Sequence, residues 1–366
     1  MSSSEQASKK RLLPLYTWIL YGILALSLVI YAVAALAAPF ATWFNGTVGA
    51  FARAFLAALT SWLPFSLAEM LIYCLPVIIA IVAVFAWRHC GTWREMLRYL
   101  ASFIAVCSLL FSIFVFTLGT GYHTETLDRR LGLETGGVSV GELKSTALLL
   151  AEQVNEAALE VSFGEDGFSV MPYDIDTMNA HILDAYRRVS AEYGFVQELQ
   201  SRVKPVLASR AMSYTHITGV YTYFTGEANI NVHFPDYTVP FTAAHELAHQ
   251  RGIARENEAN FVAFLATVMA DDPYIRYSAY LNLYEYVANA LWQADREAYR
   301  EVLATLSPAV LGELRAYAAF FEQFEDSVAA DISETVNDTY LKVHGNEAGI
   351  ASYGLVVELA VAYYRE

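Results

Sequence analysis

Three long apolar runs in the first third of the chain leave it few folds to choose from. Leu15 to about Ala37 carries no charged residue, Ser66 to Trp87 carries only Glu69 near one end, and Tyr99 to about Thr120 carries none. Each has about the 20 residues that a helix needs to cross the hydrocarbon core of a bilayer. In lipid the backbone must satisfy its own hydrogen bonds, so such runs read as helices, and Pro76 inside the second is tolerated. Between the first two, Thr42 to Pro64 alternates apolar residues with Asn45, Gly46 and Arg53. That pattern suits an interfacial or re-entrant segment, at about 42–64, better than a full span. Residues 1–120 are expected to form a membrane anchor of three transmembrane helices, at about 15–37, 66–87 and 99–120.

Charge sets the expected orientation. Lys9, Lys10 and Arg11 precede the first run, and Arg88, Arg94 and Arg98 lie between the second and third, whereas the loop after the first holds only Arg53. By the positive-inside rule the N-terminus is cytoplasmic and everything after about Gly121 is extracytoplasmic, in a multi-pass protein of the cell membrane. Ala35-Leu36-Ala37 resembles a signal-peptidase site, but the apolar run before it is longer than a usual h-region, so a retained anchor is expected. Of the whole chain's 23 basic and 38 acidic side chains, 16 and 35 follow Gly121, a net −19, against +4 for the first 120 residues. The lipid bilayer is thus a partner, and nucleic acid is not. Cys74, Cys90 and Cys107 all lie in or beside the apolar runs. Residues 121–366 have no disulfide to form and must be held by core packing and by a metal if one is bound.

That second part reads as mostly helical, with helices expected at Gly141 to Val161, Asp176 to Tyr193, Tyr274 to Leu306 and Pro308 to Ser327. Ile350 to Tyr364 is apolar but short and contains Glu358, so it reads as a buried helix rather than a fourth span. Around Ser213 to His233 the composition turns to Tyr, Thr, Val and Phe with interspersed Gly. Glu227 to His233 alternates polar and apolar residues, as a half-exposed strand does. A strand here serves either as a structural hairpin or as an edge that pairs with an extended peptide.

Pro240 then leads into His245-Glu246-Leu247-Ala248-His249. On a helix, residues four apart share a face, so both imidazoles can point at one zinc ion. Glu246 falls beside the water such an ion would bind, as a general base. Gly252 breaks the helix where the chain must fold back. A second helix is expected from about Arg255 to Met269, with Glu256 as third ligand and Glu258 as the competing one. Asn260 is placed to hydrogen-bond a ligand imidazole, and Ala259 and Ala263 are small enough for the two helices to approach closely.

The run from His245 through Glu256 to Asn260 resembles the zincin superfamily of metallopeptidases, in the gluzincin arrangement where H-E-x-x-H is followed by E-x-x-x-D/N. A similar E-x-x-A-D occurs in membrane-bound zinc peptidases related to the prenyl-protein endopeptidases. Gly226-Glu227-Ala228-Asn229-Ile230-Asn231 and Pro240 to Gly252, continued by Glu256-Asn257-Glu258-Ala259-Asn260, are most similar to a bacterial multi-pass membrane family of unknown function. Two departures stand out: the gap from His249 to Glu256 is shorter than in thermolysin-like enzymes, and Asn260 replaces the usual Asp. The resemblance implies a mainly helical α+β, zincin-like extracytoplasmic domain over 121–366, with a small sheet edge beside the motif helix.

The leading expectation is a membrane-anchored zinc metallopeptidase acting on peptide or protein substrates. His245, His249 and Glu256 hold Zn2+, and Glu246 assists attack by water. An oxyanion donor is also needed; Tyr353 is the first choice, ahead of Tyr340, His344 and His216. The alternative is a non-catalytic, zinc-stabilised membrane sensor or scaffold. An intramembrane protease is disfavoured, because Gln250, Arg251 and Arg255 follow the motif at once and no span contains it.

Overall fold

The computed structural model describes residues 13–324, 327–343 and 354–365. The chain opens with α1 (Leu15–Leu36), then α2 (Ala38–Phe44), a π-helical turn (Asn45–Gly49), α3 (Ala50–Thr60), α4 (Leu67–His89) and α5 (Trp93–Thr117). Three of these, α1, α4 and α5, are long and apolar enough to cross a membrane. At 1.5 Å per residue they measure roughly 33 to 38 Å. The third starts six residues before the apolar run does. Thr92 and Glu95 form a capping box that begins the helix at Trp93, so hydropathy marked the lipid-facing part and missed the capped, charged first turns.

The spans do not form a symmetrical bundle. α1 lies along α5, joined by a Thr17–Ser102 hydroxyl contact of 3.1 Å and a bond from the Tyr21 hydroxyl to the Ala101 carbonyl. Such bonds are a main means of pairing helices where lipid removes the hydrophobic drive. α4 leaves almost its whole circumference exposed. α3 is amphipathic: Arg53, Ala57 and Thr60 are buried, whereas Phe51, Phe55 and Leu59, spaced four apart, are exposed.

After α5 come a 3-10 turn (Gly119–His123), α6 (Leu127–Leu131), α7 (Val140–Ala158), α8 (Ile175–Glu192), β1 (Val203–Pro205), α9 (Ser209–Ser213), β2 (Gly219–Thr222) and β3 (Glu227–Ile230). Then follow α10 (Thr238–Gln250), α11 (Glu256–Val268), α12 (Pro273–Ala294), α13 (Arg296–Leu303), α14 (Pro308–Glu322), α15 (Val328–Val343) and α16 (Gly354–Arg365). The expected helices are found within a few residues. The helix expected over Tyr274 to Leu306 is split at Asp295, whose carboxylate caps α13 by accepting from the Glu297 and Ala298 N–H groups. α10, α11 and α12 stack in succession against the sheet, with Phe261, Phe264, Tyr277, Leu281 and Val287 in one core. Ala259 and Ala263 are fully buried, as close approach of α10 and α11 requires.

The sheet has the order β1-β3-β2, with β1 parallel and β2 antiparallel to β3. This corrects the expected half-exposed strand. β3 is central and buried along its whole length. Its polar residues alternate because they are bonded inside, not because they face water. The Glu227 carboxylate accepts from Lys204 Nζ at 2.5 Å and from the Leu67 and Ala68 N–H groups at 2.9 and 3.0 Å. Those two amides are free donors at the start of α4, where a carboxylate is favoured. In return, Glu69 on α4 accepts from the Leu207 and Ala208 N–H groups, both at 2.9 Å. Lys204 also donates to the Thr60 carbonyl at the end of α3. The sheet, α3 and α4 are one hydrogen-bonded unit.

Glu227→Gln leaves the buried Lys204 ammonium without a counter-charge and weakens the cap on α4. Losing one partner of a buried pair costs about 3 to 5 kcal/mol. A lower unfolding temperature is expected for the detergent-solubilised protein, larger than for Glu301→Gln in the exposed Lys144–Glu301 pair.

Candidate metal centre

α10 carries His245, Glu246 and His249 on neighbouring positions of one face. The helix starts at Thr238, so Pro240 falls inside its first turn, where the missing N–H has no partner to lose. After Gln250 the chain turns sharply, with the Ile253 N–H donating to the Ala248 carbonyl and Gly252 at φ +90°. A Cβ at Gly252 would lie 2.5 Å from the Arg53 guanidinium carbon. Conformation and space both demand glycine here.

The turn brings three donor atoms together. His245 Nε2 lies 3.0 Å from His249 Nε2, 3.2 Å separates His245 Nε2 from one Glu256 oxygen, and 3.5 Å separates His249 Nε2 from the other. Ligands at tetrahedral positions about 2.0 to 2.2 Å from zinc lie roughly 3.3 to 3.6 Å apart, so the three atoms need to part by only a few tenths of an ångström to hold such an ion. The tautomer fits too. His249 Nδ1 lies 2.8 Å from the Ile253 carbonyl, so Nδ1–H donates there and Nε2 turns its lone pair to the site. His245, His249 and Glu256 form a group able to hold a metal ion.

Glu256, not Glu258, joins the imidazoles. Glu258 is turned away, accepting from Arg255 Nη1 at 2.7 Å and from the Leu127 N–H at 3.0 Å. The expected bond from Asn260 to an imidazole is absent among the described residues. His249 is taken by the Ile253 carbonyl, which the Gly252 turn supplies, and both Asn260 Nδ2 and His245 Nδ1 are buried without a partner. Tyr353 and His344 lie outside the described residues, as does the Tyr340 side chain. His216 lines the same cavity, but its Nε2 is bonded to the Phe324 carbonyl at 2.9 Å.

Electrostatics favour a cation among these groups. Burial pulls His249 down, yet the charges of Glu256 and Glu246 outweigh it and hold the imidazole at about 9. Burial opposes the charge on Glu256, and the two imidazoles overcome it, holding the carboxyl well below its usual range. Glu246 is pushed up by burial first, with Glu256 adding and the imidazoles and the Tyr221 N–H opposing. Two carboxylates thus face one small volume, and no Lys or Arg is among the described residues that line the cavity. A dication offsets that charge, and its ligands bind it best once deprotonated.

The cavity is about 1330 Å³. One wall is the β2 region, residues 215–221, and the start of α15 contributes Ala329, Ile332 and Ser333. Gly219 is seated directly on the motif, since a Cβ there would fall 2.6 Å from a Glu246 carboxylate oxygen and 2.8 Å from Thr242 Cγ2. Opposite stand Asn282, Glu285, Tyr286 and Asn289 of α12. Their spacing of three, four and seven residues marks one polar face on a largely apolar helix. That signal was present in the sequence and overlooked, whereas nothing in it pointed to Gly219.

The family model described as protein of unknown function (DUF3810) matches residues 45–361. The chain belongs to this family. No curated protein and no solved structure matches it. The family match takes in α3, α4, α5 and every residue of the candidate metal site, and its description assigns no activity.

Glu285 provides a pH test of the far wall. Burial pushes its carboxyl from 4.5 up to about 8, against a 3.2 Å bond from the Tyr237 hydroxyl and with Glu313 adding. A carboxyl raised on folding keeps a proton that the unfolded chain has lost, so it lowers stability as pH climbs from about 4.5 through 8. Glu285→Gln should flatten that fall by up to a few kcal/mol. The check is the unfolding temperature of both proteins from pH 5 to 9.

Proposed function

We propose that this chain is a membrane-anchored zinc metallopeptidase of the zincin type. The observation that carries the reading is the convergence of His245 Nε2, His249 Nε2 and a Glu256 carboxylate within 3.0 to 3.5 Å, with Glu246 buried alongside. Zinc bound by those three groups would supply Lewis acidity, acidifying a water and polarising the carbonyl to be cut. Glu246 is placed to take a proton from that water and to return it to the amine released when the C–N bond breaks. Its raised affinity for protons suits a base that must hold one between the two steps. Ile253 orients His249, and among the described strands β2 pairs with β3 alone, with Glu246 beside its other edge, where an extended chain would lie. Tyr353 is our choice for the oxyanion donor, tested by Tyr353→Phe. The excess of Lys and Arg before α1 and between α4 and α5 supports an extracytoplasmic cavity.

Zinc content and cleavage of a peptide library, measured together on the purified protein, test this. Wild type is expected to hold one zinc per chain and to cut peptides. Glu246→Gln keeps the metal and loses about 100- to 10,000-fold in kcat/KM, as removal of a general base does. Glu256→Gln loses the metal. Wild type with stoichiometric zinc and no turnover would favour a zinc-stabilised sensor, and wild type without zinc would end the proposal.

A finer test uses the contact between β2 and the motif. Gly219→Ala drives a methyl group against the Glu246 carboxylate. It should retain zinc, lower kcat at least about tenfold and change KM less, because a misplaced base slows the chemical step more than binding.

A further inference from the structure

We propose that the substrate of this site is a polypeptide tethered to the bilayer, cut in the short extended segment next to its anchor. The inference rests on the peptidase reading and adds the class of substrate.

The metal centre is built onto the ends of the spanning helices. Leu118, the residue after α5, and Tyr122 line the same cavity as His245, Glu246, His249 and Glu256. A Cβ at Gly121 would fall 2.9 Å from both Ala254 Cβ and the Gly252 carbonyl oxygen, so the turn between the ligand-bearing helices rests on this chain segment. Arg255, one residue before the Glu256 ligand, donates to the Tyr122 and Thr124 carbonyls at 2.9 and 2.7 Å. Asn45, between α2 and α3, donates to the Gly252 carbonyl at 3.0 Å.

The open strand leads from that boundary to the motif. Tyr221 packs with Phe114, Leu118 and Tyr122, and the Tyr223 ring meets Phe114 edge-on at 5.4 Å. The turn joining β2 to β3 sits on α3, since a Cβ at Gly226 would lie 2.6 Å from Leu56 Cβ. α3 in turn exposes Phe51, Phe55 and Leu59, an apolar stripe fit for the lipid interface. From Thr222, at this end, to Gly219, against Glu246, is three strand steps, about 10 Å. A chain leaving the bilayer beside α5 therefore reaches Glu246 after only a few extended residues. A site meant for free peptides gains nothing from having its strand end buried against the spans.

The test uses the full-length protein, loaded with zinc, in vesicles of phosphatidylethanolamine and phosphatidylglycerol. A fluorogenic peptide pool is attached to an acyl chain, at either terminus, through polyproline spacers of 3 or 20 residues, roughly 9 and 60 Å. Both are used at equal surface density, and the rates are compared after allowing for the roughly sevenfold deeper shell over which the longer spacer spreads the peptide. The short spacer is expected to give cleavage at least tenfold faster than the long one. Equal rates on the two spacers would overturn the inference while leaving the peptidase reading intact. A readout independent of turnover uses Glu246→Gln with a photocrosslinker at Val220, which lines the cavity and is exposed. It should capture the short-spacer peptide and not the long. If nothing is cleaved but capture depends on the spacer, the peptidase reading fails and the ligand class stands; if neither cleavage nor capture occurs, both fall.

Discussion

The turn at Gly252 decides most of what surrounds it. Its positive φ lets the Ile253 carbonyl swing under His249 and accept from Nδ1, which fixes the tautomer that leaves Nε2 free. It starts α11 at an angle that returns Glu256, rather than Glu258, to the two imidazoles. The space a side chain would have filled is occupied by the Arg53 guanidinium, fully buried and bonded to the Asn45 side chain, the Asn45 and Thr117 carbonyls and Gln197. Burial pulls Arg53 down to about 10, so it still carries its charge at neutral pH. A single turn therefore couples ligand protonation, ligand identity and the position of the site relative to the spans.

The buried charges elsewhere follow the same logic. Lys204 with Glu227, and Glu69 with the amides after β1, both lie where α4 meets the helical and sheet core. Apolar packing is a poor discriminator at such a junction, because a spanning helix is equally content against lipid or protein. Hydrogen bonds to charged groups are directional, and leaving one unmade is expensive, so they select one docking geometry. α4 shows the effect. Its sides touch little, yet its first turn is held by Glu227 and holds the 207–208 amides in return.

This division explains what could be read from the sequence. The spans, most helices and the His245, His249 and Glu256 set follow from hydropathy, periodicity and one local motif, each written in contiguous residues. The reading failed where polar residues are buried. Glu227 and Asn229 alternate with apolar neighbours as on a half-wet strand, and only the position of Lys204 and the start of α4 reveals that they point inward. Arg53 looked like an interruption in an interfacial segment, because its hydrogen-bond partners are 8 to 144 residues away. Asn260 was expected to bond a ligand imidazole; His249 Nδ1 is instead taken by a backbone carbonyl, an acceptor that leaves no trace in side-chain spacing, and among the described residues His245 Nδ1 and Asn260 Nδ2 meet no partner. Gly219 is significant only through what lies opposite it.

Charge distribution explains why so rigid a junction is needed. The part after Gly121 carries a net −19 and the anchor +4. An acidic domain is repelled by an anionic bilayer surface within a Debye length of about 8 Å, so the cavity mouth beside Leu118 and Tyr122 would be lifted away if only a flexible linker held it. The Arg53, Glu227 and Glu69 contacts oppose that displacement with fixed geometry, and all three lie on the sheet or the turn that supports the metal centre. The buried charges therefore hold a negatively charged part of the chain against the helices that are apolar enough to cross a membrane.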